Sequence, residues 1–171
     1  FRTVLVATAV AGIAGYAIQL IAPTQLGDGD YVAFTVLWST MYLGGSAISG
    51  VQQEVARAVH PGAGGSRILL LFGLAAAAIV AAAALIASFA LGDAILAGSR
   101  ALVALALVVG VVGYLATSIL TGVSYGLHVW RAVAAGVIID ALLRVGLLAV
   151  GFLLGWDTGV LALLIAMPFG L

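Results

Sequence analysis

An all-α, polytopic membrane helix bundle is the fold class this sequence predicts, and three observations predict it. Hydrophobic residues make up 65% of the 171, charged residues only 7%, and the mean hydropathy is +1.33; a soluble domain is usually about 25% charged. Apolar runs long enough for a helix to cross a hydrocarbon core about 30 Å thick, which takes about 20 residues, recur along the chain. Between them lie short stretches of Gly, Pro, Asp and Ser, the residues that end helices and build turns.

Taken in order, the runs give spans at 3–22, 31–51, 68–91, 101–127 and 132–155, with a sixth over 159–171. The first is too long for a signal-peptide core of roughly 7–15 residues and no small-residue cleavage site follows it, so it belongs to the mature protein. "PTQLGDGD" at 23–30 separates it from the second, and "HPGAGGSR" at 60–67 and "LGDAILAGSR" at 91–100 bound the third. "HVWR" at 128–131 leaves only about four residues between the fourth and fifth spans, which makes them an antiparallel hairpin. "GWDTG" at 155–159 precedes the sixth. Five full spans and one partial span make a single transmembrane domain over 1–171. The chain opens at Phe1 without an initiator Met and stops inside an apolar run, so a segment of a longer protein is expected.

Alternating the connections across the membrane sorts the charges. One side collects Arg2, Arg57, Arg67 and Arg131 against a single acid, Glu54, and the other collects Asp28, Asp30, Asp93 and Asp157 against Arg100. Arg and Lys in short loops mark the cytoplasmic side, so the N-terminus is expected inside the cell membrane. The spans are rich in small residues, as in "AVAGIAGYA" at 9–17, "GGSAISG" at 44–50 and "AAAAIVAAAALIA" at 75–87. Such stripes let helix backbones approach closely in lipid, where apolar burial alone drives little association.

Composition also excludes functions. The formal net charge is zero and no basic run exists, which argues against nucleic acid. Without cysteine there is no disulfide framework, no thiolate metal site and no Cys nucleophile, and two isolated histidines, His60 and His128, do not suggest a metal. No Ser-His-Asp context, HExxH, Walker-type glycine loop or paired carboxylates at matching depth occurs, so no enzyme, cofactor or catalytic residue is expected. A channel would show a polar stripe along a span or a filter loop, and neither stands out.

Two charged clusters remain. Asp140 and Arg144 lie four apart in the fifth span, on one helical face, where they can pair. Counted from Arg131 at about 1.5 Å per residue they lie roughly 13 and 20 Å deep. A charge near the midplane costs on the order of 3 kcal/mol or more, so the pair belongs in the bundle interior or a watery cavity. It reads either as a structural salt bridge or as a site where Arg144 meets an anionic substrate group and Asp140 tunes it. Glu54 and Arg57, three apart at the cytoplasmic end of the second span, read either as an interfacial cap, with Arg57 snorkelling to headgroups, or as a cytoplasmic gate. Gln19 reads as an interhelical hydrogen-bond donor.

The acidic turn followed by "DYVAFTVLWSTMYLGGSAISGVQQEVARAV" (30–59), and then "LTGVSYGLHVWRAVAAGVIIDALLRVGLLAVGF" (120–152), resembles the first lobe of bacterial polysaccharide (O-antigen-type) flippases. These belong to the multidrug/oligosaccharidyl-lipid/polysaccharide exporter superfamily, together with the MATE exporters and the lipid II flippase. The likeness covers essentially the whole chain in span order and loop length. It implies a MATE-like transporter of two six-helix lobes, of which this is the N-terminal one, so the second lobe, membrane lipids and a lipid-linked glycan are its expected partners. The implied activity is carriage of a polyprenyl-pyrophosphate-linked oligosaccharide from the cytoplasmic to the outer face of the plasma membrane by alternating access, for cell-surface polysaccharide biosynthesis. Arg144 would then bind the pyrophosphate, because Arg offers paired donors to phosphate oxygens, with Asp140 orienting it. The lone deep Arg, neutralised by Asp140, departs from the more basic cavities of that family. It leaves open a proton- or sodium-coupled multidrug exporter whose ion binds Asp140, and, outside transport, a membrane scaffold. The absence of Lys beside abundant Ala, Val, Gly and Arg suggests a GC-rich genome such as an actinobacterium's.

Overall fold

The computed structural model describes residues 2–59, 66–95 and 100–166, and every regular element among them is an α-helix. The helices are α1 (Arg2–Gln25), α2 (Asp28–Ala58), α3 (Ser66–Ile95), α4 (Arg100–Gly126), α5 (Trp130–Leu153) and α6 (Thr158–Ala166). Five of them are long and apolar enough to cross a membrane, so the chain is a multi-pass membrane protein. His60, Pro61 and Gly62, residues 96–99 and the end of the expected sixth span lie outside the described residues.

The connection expected at 23–30 is much shorter than its composition suggests. α1 continues through Pro23 to Gln25, and Asp28 already opens α2. Proline near the last turn removes a single backbone donor, and the Leu26 N–H still reaches the Ala22 carbonyl at 3.0 Å. The two aspartates, read as loop residues, sit in the first turn of α2, where negative charge complements the helix dipole. At its other end α2 runs past position 51 to Ala58, 31 residues in all. At about 1.5 Å per residue that exceeds the hydrocarbon thickness, so both ends stand in the headgroup layers.

The two most extensive helix pairs are not sequential. α1 packs chiefly on α5 and α2 on α4, with α3 also on α4 and α6 against α4, α5 and α2, while α1 and α2 hardly touch despite their two-residue connection. Along the α2–α4 seam Met41 meets Gly110, Tyr114 lies over Gly45 and Val55 meets Gly122; the numbers rise together, so the pair is parallel. A Cβ on Gly122 would stand 2.7 Å from the Gln52 carbonyl oxygen, which is why glycine occupies that crossing.

A connected cluster of buried residues occupies one half of the bundle. Ile18 and Ala22 near the end of α1, Phe34 and Leu37 near the start of α2, Leu107, Leu148 and the α6 residues Leu161 and Ile165 form one cluster, and all lie towards the end that carries Asp28, Asp30 and Asp157. Outside it, Ile13, Leu43, Ile79 and Phe89 are each at least 70% exposed, an apolar girdle that suits lipid and not water.

Candidate functional site: a hydroxyl-lined cleft ending at Asp140

The half of the bundle towards Arg2, Arg57 and Arg131 is built differently. α4 ends at Gly126 in a Schellman turn: the His128 N–H bonds the Tyr125 carbonyl at 3.0 Å and the Val129 N–H bonds the Ser124 carbonyl at 2.8 Å. His128 holds the left-handed position at φ 60°, a conformation in which histidine is enriched among non-glycine residues. Beside it Trp130 meets the rings of Tyr125 and His128 edge-on, at 5.6 and 5.9 Å between centroids. The link is as short as expected and makes α4 and α5 antiparallel, but the two helices touch little beyond it.

The space between them is a cleft of about 380 Å³, within the range of small-molecule sites. One wall is α4, through Tyr114, Thr117, Ser118, Thr121, Ser124 and Tyr125. The other is α5, from Ala132 through Gly136 to Asp140 and Leu143, and Ala11 of α1 and Gln52 of α2 complete the lining. The α4 hydroxyls recur at helical spacing and form a polar stripe along the span, contrary to the expectation that no span carries one. It was legible in "YLATSILTGVSYG" at 114–126, had the period of hydroxyl groups been followed in place of the period of charge.

Asp140 and Arg144 do pair, one turn apart. Arg144 Nη2 donates to Asp140 Oδ2 at 2.8 Å and to Oδ1 at 3.1 Å, and Nη1 reaches the Tyr42 hydroxyl at 3.4 Å. The guanidinium carbon lies 5.9 Å from the Trp38 ring centroid, within cation–π range. Trp38 is the middle rung of an aromatic ladder on α2: it stacks on Phe34 at 5.9 Å and on Tyr42 at 5.2 Å. Residues four apart share a helical face, so this ladder too was present in the sequence as Phe34, Trp38 and Tyr42.

The two charges differ in access. The Arg144 side chain is only 6% exposed, whereas that of Asp140 is 33% exposed and lines the cleft. The carboxylate therefore faces the open space, and the guanidinium stands behind it against α2. Glu54 and Arg57 form their ion pair at 2.9 Å with both side chains more than 60% exposed, and neither is among the residues lining the cleft. Gln19 is half-buried and lies outside it. Among the described residues no three His, Cys, Asp or Glu side chains come together as a metal site would need.

No family model matches the chain and no solved structure matches it. Curated relatives come from mycobacteria. An uncharacterized protein of Mycobacterium bovis is 28% identical over 166 residues, covering 88% of this chain and 37% of its own length. An uncharacterized protein of Mycobacterium tuberculosis strain CDC 1551 has the same identity and coverage, and one of strain H37Rv is 27% identical. The chain thus spans about 37% of the length of the curated relatives it matches.

Proposed function

We propose that this chain is one lobe of a MATE-like plasma-membrane transporter, a flippase that carries a polyprenyl-pyrophosphate-linked oligosaccharide from the cytoplasmic to the outer face by alternating access. The observation that carries the reading is the cleft. It leads from the arginine-rich end of the bundle to a carboxylate about 15 Å along α5 from Trp130, and it is lined by groups that can exchange hydrogen bonds with a polar head group. A cleft that opens towards one end of the bundle supports a carrier, in which a site is reached from one side of the membrane at a time. The excess of arginine at the open end supports a cytoplasmic orientation for it.

A second reading, a cation-coupled exporter, is favoured by the access of Asp140 to the cleft. Replacement Asp140→Asn separates the two in cells, at matched protein abundance. The flippase reading expects lipid-linked oligosaccharide to accumulate on the cytoplasmic face, surface glycan to fall and drug tolerance to stay unchanged. Lost drug efflux with intact glycan export would move the assignment to the exporter.

A further inference from the structure

We infer that the cleft takes the uncharged glycosyl part of the substrate and turns phosphate away, with Asp140 as an acceptor for sugar hydroxyls. This rests on the transport reading above and reverses the roles expected for the charged pair. No arginine or lysine lines the cleft among the described residues. Arg144 is 6% exposed and already engaged by Asp140 and Tyr42. A phosphate approaching it from the cleft meets the Asp140 carboxylate first and finds the guanidinium charge already paired.

The same geometry suits a sugar. A carboxylate has about four acceptor positions, and the single Nη2 group approaches Asp140 from the Arg144 side, so acceptor capacity remains towards the cleft. The bound guanidinium neutralises the carboxylate, which lowers its pull on cations without removing its ability to accept hydrogen bonds. Gln52 and Thr121, both half-buried, add groups that both donate and accept, and the Tyr125 ring offers an apolar face to the C–H side of a sugar. With the sugar in the cleft, the phosphates stay at headgroup level.

The test uses the full-length protein in phosphatidylcholine vesicles, with Gly136→Cys as the one cysteine. Gly136 lines the cleft, and a Cβ there meets nothing within 4 Å. Labelling by a hydrophilic maleimide supplied to both sides is timed in plain vesicles and in vesicles doped with diglucosyl diacylglycerol or with phosphatidic acid. The expected result is several-fold slower labelling with the glycolipid and no change with phosphatidic acid. Asp140→Asn and Thr121→Val, each keeping the plain-vesicle rate as a check on folding, should weaken that protection. Protection by phosphatidic acid, protection only by the lipophilic cation tetraphenylphosphonium, or no protection by the glycolipid would each overturn the sugar assignment while leaving the cleft intact. Failure of Gly136→Cys to label in plain vesicles is a different outcome: it would mean the cleft is dry, and the transport reading would fall with it.

Discussion

The two ends of this bundle solve the same lipid problem in opposite ways. At the aspartate-rich end α1, α2, α4, α5 and α6 converge on a continuous apolar core in which Phe34, Leu107, Leu148, Leu161 and Ile165 are each at most 2% exposed. At the arginine-rich end α4 and α5 separate beneath their link and leave a cleft with hydroxyl, amide and carboxylate groups in its lining, while Ala7, Val55 and Val133 stay buried beside it. On the proposed reading, stability rests chiefly on the apolar cluster and transport on the cleft. Substitutions should therefore sort by half.

The largest stability loss belongs to the packed end. Phe34 is 1% exposed, stacks on Trp38 and meets Phe152 at 6.4 Å between centroids. Phe34→Ala should cost about 3–5 kcal/mol, the usual penalty for a buried aromatic truncated to a cavity, read as a lower midpoint in denaturant titration of the purified protein. If that substitution is tolerated while a cleft substitution is not, the contrast between the halves is reversed.

Arg144 sits at the boundary and should come next. Its removal strands Asp140 without its guanidinium, and losing one partner of a buried pair costs about 3–5 kcal/mol; with Asp140 one-third exposed to the cleft, about 3 kcal/mol is expected. The double replacement Arg144→Ala with Asp140→Asn should recover part of that loss, since no stranded charge is left. Abundance in membranes and thermal melting of both variants check this. An Arg144→Ala variant as stable as the parent would mean that Asp140 is fully hydrated and that the boundary lies deeper in the bundle.

How much of this was readable in advance follows from range. The spans were legible because hydropathy and turn residues act locally: the first five expected spans each fall on one helix, and the described part of the sixth falls on α6. The Asp140–Arg144 pair was legible for the same reason, as four residues make one turn. Which member faces the cleft was not. That is set by Trp38 and Tyr42, the latter 102 positions from Arg144, and by the separation of α4 from α5, which no local pattern encodes. The connection after Pro23 is shorter than its Gly, Asp and Pro suggest, because the glycine caps α2 and the aspartates sit in its first turn. The hydroxyl stripe was passed over because serine and threonine are scarcely penalised in a membrane helix, where they can bond to the preceding turn, as Ser124 does to the Leu120 carbonyl at 2.9 Å.

The smallest expected stability change makes the sharpest test of the division. Thr121 lines the cleft on α4, half-buried, and stands outside the apolar core. Thr121→Val keeps the β-branched shape and exchanges only a hydroxyl for a methyl, so unfolding should shift by no more than about 0.5 kcal/mol, as for most substitutions away from packed or paired groups. On the proposed flippase reading, glycan export should fall all the same, because the cleft loses one donor and acceptor. A variant with wild-type melting and reduced glycan export separates function from stability at a single atom. A variant that melts several degrees lower would show that the hydroxyl serves the bundle itself, and the polar wall of α4 would then belong to the same structural system as the core beneath it.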